Sequence, residues 1–288
     1  MANLKETRNR IVSVKSTMQI TSAMKMVSAA KLKRAQDAVT KIRPYAEKLQ
    51  EILVNLSADS SGDTQSEYSV VRDVKKVLLV PVTSNRGLCG GFNANIMKRT
   101  VKVLNANYSD ADVSLYCIGK KASEWFKLKG YTIAKSEIDL FNDLTYANVA
   151  AIAEEIMASF VVGTYDEVKF IYNQFVNAAT QAVQVEQFLP VTNEDADVAG
   201  DSADYVYEPN KADIVLDLIP KALKTQLFKG ILDSVASEHG ARMTAMHQAT
   251  DNATSLCNDL KLEYNKARQA AITTEILEIV GGAEALAG

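Results

Sequence analysis

The chain has 288 residues, of which 47% are hydrophobic and 23% charged, and its formal net charge is −3 at pH 7. This composition excludes a chain that is disordered throughout, and it gives no overall attraction to nucleic acid or anionic lipid. No run approaches the roughly 18 apolar residues that a membrane-spanning helix needs, and Met1–Lys5 lacks the apolar core of a secretory signal. We therefore expect a soluble, cytoplasmic protein, or one attached to a membrane only through its partners.

The N-terminal segment is strongly basic. Residues 1–48 carry eleven Lys and Arg against three acidic residues, a local charge of +8, so the remainder of the chain sums to −11. Such a segment can be a solvated helix face, bind nucleic acid, or contact acidic protein loops. Because Tyr45 is the single aromatic residue among these charges, a stacking platform for single-stranded nucleic acid is disfavoured.

The N-terminal 58 residues carry a heptad pattern, which predicts a coiled-coil helix. Its middle is weakly apolar, and Pro44 is expected to bend or locally break the helix. A helix of this length would extend about 80 Å. The two heptad series are Leu4, Ile11, Met18, Lys25, Leu32, Val39, Ala46 and Leu53, and Thr7, Val14, Thr21, Ser28, Ala35, Ile42, Leu49 and Leu56.

The C-terminal region predicts a second long helix. Between about residues 210 and 280 its helix breakers are Pro220, Gly230 and Gly240. Apolar residues recur there at alternating spacings of three and four, as in a coiled coil. The two terminal helices can therefore bury their apolar stripes against each other in antiparallel fashion. The predicted C-terminal stripe is Met246, Ala249, Ala253, Leu256 and Leu260, continued by Ala267 and Ala270.

The residues between the helices predict a small α/β domain. Short apolar runs alternate with helical segments in a βαβαβ order, which implies a mostly parallel, Rossmann-like sheet inserted between the helices. Polar stretches at residues 59–74 and 193–208 are predicted linkers. The predicted domains are thus residues 1–58, 75–192 and 209–288. The predicted strands are Val77–Val82, Val113–Ile118, Val168–Phe175 and Ala182–Leu189, and the predicted helices are Asn93–Leu104, Ala122–Leu128 and Tyr146–Val162.

One glycine-rich turn, Ser84–Asn93, has the strand–turn–helix context of a phosphate site. Its spacing matches neither G-x-G-x-x-G nor G-x-x-x-x-G-K-[ST]. A structural turn is therefore favoured over a bound phosphate. A Rossmann-type nucleotide-binding enzyme with helical extensions nevertheless remains the alternative function.

No constellation of residues predicts catalysis, a cofactor or a metal. His239 and His247 are eight residues apart, too far along a helix to chelate one ion, and exposed positions are expected for both. Acidic clusters such as Glu154–Glu155 have the pattern of solvated charge. The three cysteines, Cys89, Cys117 and Cys257, form no C-x-x-C pair and are expected to be reduced.

Both ends of the chain resemble the gamma subunits of F-type ATP synthases, and so does the glycine-rich turn. The resemblance covers essentially the whole chain, and combined motifs of this length rarely arise by chance. The segments that carry it are Ile11–Lys31, Asn85–Asn93, Ala236–Met246, Ala249–Ala253, Tyr264–Gln269 and Ile272–Ala283.

This resemblance implies a rotating central shaft that stands inside a hexamer of alpha and beta subunits. It implies that the middle domain lies against the epsilon subunit and the membrane ring of c subunits, with delta in the same complex. Rotation would couple proton flow to the catalytic sites of the beta subunits, so the chain itself would need no catalytic residue, cofactor or metal. The positions that match partner contacts of the family are Met24, Lys25, Arg242, Gln269, Thr273, Ile276 and Ile279 for the hexamer, and Tyr205, Tyr207 and Glu208 for epsilon or the ring.

The chain also departs from some family members. Nothing between Gly163 and Tyr207 contains a cysteine, so thiol regulation of the chloroplast type is not expected. The absence of an Arg- and Ser-rich leader favours a bacterial enzyme and the cytoplasmic face of the cell membrane, although a processed mitochondrial chain would look alike. If the helices are aligned at Leu56 and Lys211, Asn3 is level with Tyr264, and the C-terminal helix projects by 15 to 20 residues, roughly 25 to 30 Å.

Overall fold

The computed structural model describes residues 4–58, 67–191 and 211–287. The chain divides into two compact units. The terminal unit comprises Met1–Ser28 and Met243–Gly288, and the sheet unit comprises Ala29–Arg242. The predicted linkers lie largely outside the described residues, so the domain boundaries placed there stay predictions.

The elements follow the predicted order of a helix, an α/β region and a second long helix. They are α1 (Leu4–Ala58), β1 (Lys76–Pro81), α2 (Phe92–Asn107), β2 (Asp112–Ile118), α3 (Lys120–Leu128), β3 (Ile133–Glu137), a 3₁₀ turn (Asp139–Asn142), α4 (Tyr146–Val161), β4 (Glu167–Phe175), β5 (Gln181–Leu189) and α5 (Lys211–Ala287). The strand β3 and the 3₁₀ turn were not predicted. The helix α1 is not broken at Pro44, and α5 likewise continues through Pro220.

In the terminal unit, α1 and α5 pack along the predicted heptad seam. The α1 positions Thr7, Thr21 and Ser28 are buried, while the solvent-facing positions between them are exposed. The hydroxyl oxygens of Thr21 and Thr250 lie 2.8 Å apart across the seam. The hydroxyl of Thr254 donates to the sulfur of Met18 at 3.3 Å. These contacts fix the register of the antiparallel pair.

The predicted stripe on α5 is partly wrong. Leu256 is 43% exposed and Ala270 is exposed, whereas their neighbours Cys257 and Ala271 are buried and half-buried respectively. One residue along a helix turns the side chain by about 100°, so a shift of one position moves it out of a narrow seam. The seam of α5 consists of Met246, Thr250, Ala253, Cys257, Leu260, Tyr264 and Ala267, all of them buried or half-buried.

The sheet unit is built on five strands in the order β3-β2-β1-β4-β5. The first four are parallel, and β5 is antiparallel to β4. This confirms the prediction of a mostly parallel sheet between long terminal helices. Alternate strand residues point to opposite faces, so the sheet has two apolar layers.

Each layer is covered by a different set of helices. On one face, Phe170 and Tyr172 of β4 belong to the same buried cluster as Phe160 of α4, Ile231 of α5 and Leu49 of α1. On the other face, residues of β1 and β2 form a buried cluster with α2 and α3, comprising Val77, Leu79, Val103, Leu115 and Phe126 among others. Segments of both long helices therefore form part of the core of the sheet unit.

Candidate functional sites

The glycine-rich turn lies at the carboxyl end of β1, where a doubly wound fold often binds a ligand. Its backbone is held by its own side chains. The amide of Ser84 donates to Asn93 Oδ1 at 3.0 Å, and the Ser84 hydroxyl donates to the carbonyl of Arg86 at 2.7 Å. Leu88 and Gly90 take left-handed conformations, with φ of 64° and 58°. Residues other than glycine are disfavoured at such φ values, yet Leu88 adopts one, so the turn has a specific, tightly held shape.

The side chain of Arg242 on α5 binds backbone carbonyl groups of this turn. Its Nη1 donates to the carbonyl of Gly87, and its Nη2 donates to the carbonyl of Arg86 at 3.4 Å and to Glu238 Oε1 at 2.5 Å. The turn therefore presents carbonyl oxygens to a cation, whereas a phosphate site needs N–H groups. This geometry favours the structural turn over the nucleotide-binding alternative.

The buried position of Arg242 also bears on its proposed contact with a partner. Its side chain is 10% exposed and that of Glu238 is 15% exposed. Burial raises the pKa of Glu238, and Arg242 opposes that rise. In this chain Arg242 is thus an anchor within the sheet unit, and its role as a partner contact stays a prediction.

Met24 and Lys25 lie in the terminal unit, where both are half-buried. Lys25 Nζ lies 3.2 Å from His247 Nδ1, and His247 is also 3.5 Å from a carboxylate oxygen of Asp251. Lys25 therefore occupies a heptad position while its charged end meets polar groups of α5. Both residues leave part of their surface accessible to a partner.

Gln269, Thr273, Ile276 and Ile279 form a separate surface at the end of α5, and all four are exposed. Counting from the contact between Thr21 and Thr250 places the start of α1 about level with residue 267. This is about one helical turn beyond the predicted level. Gln269 is then roughly 33 Å along the axis from Lys25, so the structure does not bring the two groups together.

The last 20 residues or so of α5 extend past the start of α1 as a helix of about 30 Å. Residues 272–285 are exposed without exception. Five of them are large and apolar, with exposed fractions of 48% to 72%: Ile272, Ile276, Leu277, Ile279 and Val280. We call these five residues the apolar end. The predicted projection of the helix is present, and its apolar side chains face solvent.

Other predicted sites have different outcomes. Tyr205, Tyr207 and Glu208 lie outside the described residues. Within the described ranges, no group of three His, Cys, Asp or Glu side chains is placed to hold a metal ion. The three cysteines are buried and free of disulfides. None of the helices in the described part of the chain has an apolar stretch of the length that a bilayer requires.

The expectation that His239 is exposed is wrong. Its Nδ1 is buried and has no hydrogen-bond partner among the described residues. Burial, together with the smaller effects of the nearby charges of Lys31 and Arg242, lowers the pKa of His239 to about 4. The side chain is therefore neutral at physiological pH. His247, in contrast, is 56% exposed, as predicted.

A buried carboxyl group, Asp233, was missed by sequence reasoning. It lies on the face of α5 that packs on the sheet, together with Gly230 and Ser237. These positions share one face of the helix because they are spaced by three and four, and this face is turned away from the one that Met246 marks. A charged residue on such a face is unusual, which is the signal that was available.

The comparisons with known proteins agree with this geometry. A family model described as ATP synthase matches residues 3–286. The chain is 61% identical to the ATP synthase gamma chain of Flavobacterium johnsoniae and 57% identical to that of Christiangramia forsetii, each over 288 residues and the full length of both proteins. It is 49% identical to the gamma chain of a Geobacter species over 289 residues and the full length of both.

Solved structures give the same result. The chain is similar to one in the cryo-EM structure of the central stalk and c-ring of the Tetrahymena thermophila mitochondrial ATP synthase, with a TM-score of 0.61, 27% identity, and coverage of 80% of this chain and 99% of that one. A chain of the Euglena gracilis mitochondrial ATP synthase shares the fold, with a TM-score of 0.74, 24% identity, and coverage of 98% of this chain and 94% of that one. The chain therefore belongs to the family of ATP synthase gamma chains.

Proposed function

We propose that this chain is the central-stalk rotor subunit of a proton-translocating F-type ATP synthase. It couples rotation of a membrane c-ring to conformational changes at catalytic sites that the beta subunits carry, and it regulates ATPase activity and proton flow. Its partners are the alpha and beta subunits, the epsilon subunit and the c-ring, with delta in the same complex. It is peripheral to the membrane, on the cytoplasmic face of a bacterial cell.

The apolar end of α5 is the observation that carries this proposal. Five large apolar side chains exposed over about two helical turns are unfavourable in water and are typical of a surface that a partner covers. No residue of α1 lies beside them, because α1 begins about level with residue 267. The charges in this stretch are all negative, namely Glu275, Glu278 and Glu284, so a surrounding sleeve is held mainly by apolar contact.

A rotor needs no catalytic group of its own. It acts by being in contact with each neighbour in turn and favouring one of that neighbour's conformations over another. Moving a two-state equilibrium from 1:99 to 99:1 takes about 5.5 kcal/mol of differential contact energy, which a few apolar contacts and ion pairs can supply. The nucleotide sites then belong to the partners.

The proposed contacts with the alpha and beta subunits fall into three groups. Met24 and Lys25 form the first group. Gln269, Thr273, Ile276 and Ile279 form the second, at the end of α5. Arg242 acts indirectly, because it holds the glycine-rich turn in one shape while its own side chain is largely buried. Contacts with epsilon and the c-ring involve Tyr205, Tyr207 and Glu208.

The test compares two double variants of the full chain assembled with alpha and beta subunits. Ile276→Gln with Ile279→Gln makes the apolar end polar. Leu128→Gln with Val162→Gln is the matched control, since these two residues are 84% and 81% exposed but lie in the sheet unit. We expect the first variant to lower co-purification with alpha and beta and to lower ATP turnover, and the control to retain both.

A truncation tests the same proposal independently. Removal of residues 279–288 should leave the seam folded, as judged by helical circular dichroism, while it weakens assembly or reduces turnover. Normal assembly and turnover in both the truncated chain and the Ile276/Ile279 variant would contradict the proposal. Saturable micromolar binding of ATP or NAD to the isolated full chain would instead favour the nucleotide-binding alternative.

A further inference from the structure

A cluster of charged and polar side chains lies inside the sheet unit, where α1, α5, β4 and β5 meet. At its centre is Asp233 on α5, whose side chain is 0% exposed. Its Oδ1 lies 3.4 Å from Nη2 of Arg43 on α1, whose side chain is 41% exposed. The second carboxylate oxygen, Oδ2, is buried and accepts no hydrogen bond from the described residues.

Three further groups act electrostatically on Asp233. Lys229 lies one turn earlier on α5, and Glu186 lies on β5. Tyr172 of β4 also interacts with Asp233 and donates a hydrogen bond to Glu186 Oε1 at 2.6 Å. Glu186 Oε2 accepts a hydrogen bond from Gln226 at 3.3 Å, so both of its oxygens have donors. Asp233 is thus the carboxyl group of this cluster that is least well supplied with donors.

A buried carboxylate with one unpaired oxygen and one long ion pair is costly in its charged form. Taking a carboxylate out of water costs several kcal/mol, and a single cation offsets this only when geometry is good and the remaining lone pairs are satisfied. A buried ion pair of this quality is often no more stable than neutral groups of the same shape. The neutral acid is therefore a competitive state of Asp233 inside the folded protein.

We propose that Asp233 and Arg43 form a proton-operated clamp between α1 and α5. With Asp233 charged, the guanidinium of Arg43 ties α1 to α5 within the sheet unit. When Asp233 takes up a proton, the carboxyl group stays buried in neutral form and Arg43 turns to solvent, to which it is already partly exposed. Proton uptake thus loosens one connection between the two long helices without unfolding either.

The direction of the pH dependence follows from the surroundings of Asp233. Burial raises its pKa, while Arg43 and Lys229 lower it by a smaller amount and Glu186 adds to the rise. The folded chain therefore holds this proton more tightly than the unfolded chain does, in which an Asp has a pKa of about 3.9. The stabilisation of the folded chain by this proton is complete below the unfolded-state pKa of about 3.9, and it is lost as the pH rises through the folded-state pKa.

The experiment compares the wild-type full chain with Asp233→Asn, a neutral residue of the same shape. Urea unfolding is measured from pH 4 to pH 8. We expect the ratio of the wild-type to the Asp233→Asn folding constants to fall with rising pH, by up to tenfold per pH unit, and then to level off. The matched control is Asp217→Asn, on the same helix, whose side chain is 72% exposed and paired with Lys221.

A second measurement separates the clamp from a merely buried acid. Amide hydrogen exchange of residues 39–43, 45 and 46 on α1, corrected for the intrinsic pH dependence, reports on the connection to α5. In the wild type these amides should be better protected at high pH than at low pH. In Asp233→Asn they should exchange at the faster rate throughout, and Asp217→Asn should resemble the wild type.

Arg43→Gln keeps the proposal testable if Asp233→Asn does not fold. This variant removes the cation that holds the pKa of Asp233 down, so the pH dependence of stability should move to higher pH. The proposal is overturned if the ratio of folding constants does not change with pH. It is equally overturned if α1 exchange in both Asp233→Asn and Arg43→Gln matches the wild type at every pH.

Discussion

Replacing Gly230 by alanine should destabilise the sheet unit, although the same change stabilises most helices. Gly230 lies in the interior of α5, where alanine is favoured over glycine by about 1 kcal/mol. A Cβ atom added at Gly230 would, however, stand 2.2 Å from Cε1 and 2.9 Å from Cζ of Phe170. Such distances are far inside van der Waals contact, so one of the two groups must move.

The size of the effect depends on how freely Phe170 can move. Its ring is fully buried and stacks on Tyr172 with the two ring centroids 4.8 Å apart. Overpacking a well-packed core costs about 1–3 kcal/mol, and the rigid surroundings place this site at the upper end of that range. After the gain in helix propensity is subtracted, we expect Gly230→Ala to lower the free energy of unfolding by about 2 kcal/mol.

Two other glycines of α5 provide a graded control. A Cβ at Gly240 would lie 3.3 Å from Cα of Ala178, a tight but tolerable contact. A Cβ at Gly281 would meet nothing within 4 Å. Gly240→Ala should therefore be nearly neutral, and Gly281→Ala should increase helicity and stabilise the end of α5 by up to about 1 kcal/mol.

Urea unfolding of the full chain, followed by far-ultraviolet circular dichroism, measures all three variants. The double variant Gly230→Ala with Phe170→Leu makes room for the new methyl group. It should be more stable than the sum of the two single changes, with a coupling energy of about 1 kcal/mol or more. A Gly230→Ala chain as stable as the wild type would refute the close packing of α5 on β4.

Three further predictions concern other parts of the chain. Arg242→Ala should lower the free energy of unfolding by about 3 kcal/mol, because it leaves Glu238 buried without its cation. Gln269→Leu should leave the free energy of unfolding unchanged, since Gln269 is exposed, and should lower the ATP turnover of the assembled complex. Turnover equal to wild type with normal assembly would remove Gln269 from the proposed contacts. His239 has its pKa lowered to about 4, so the stability it supports is complete above pH 6.5 and lost as the pH falls toward 4. His239→Gln should flatten the dependence of stability on pH between pH 6.5 and pH 4. An unchanged pH dependence would contradict the burial of His239. The buried cysteines should resist thiol reagents in the native chain, since burial raises the pKa of Cys117 to about 12, and a several-fold response of ATPase activity to dithiols would speak against free thiols.

Local sequence spacing was sufficient to predict most of the elements. The heptads of α1 identified the buried positions Thr7, Thr21 and Ser28, although none of them is hydrophobic. Their period alone carries that information, because one face of a helix must meet its partner at every repeat. Apolar runs bounded by turns gave β1, β2, β4 and β5. The strand β3 was missed because its five residues, Ile133–Glu137, include Lys135 and Glu137 and show no sustained apolar run.

Details that depend on a distant part of the chain required the tertiary structure. The predicted stripe on α5 included Leu256 and Ala270, each one residue before the more buried position. The packing of the neighbouring structure decides between two such adjacent positions, and the spacing alone does not. The burial of His239 and Asp233 has the same origin, since each faces groups more than 100 residues away in sequence, Lys31 and Arg43 respectively. Likewise, the packing of Gly230 on Phe170 arises only when α5 lies on the sheet.

The sequence by itself determined the two long helices, the parallel sheet between them and the family, because these follow from local periodicity and from motifs that stand in order along the chain. Only the tertiary structure decided that Arg242 closes the glycine-rich turn and that the seam passes through Cys257. The physical reason is that a period defines a face, while the neighbour packed on that face defines its register, its burial and its charge balance.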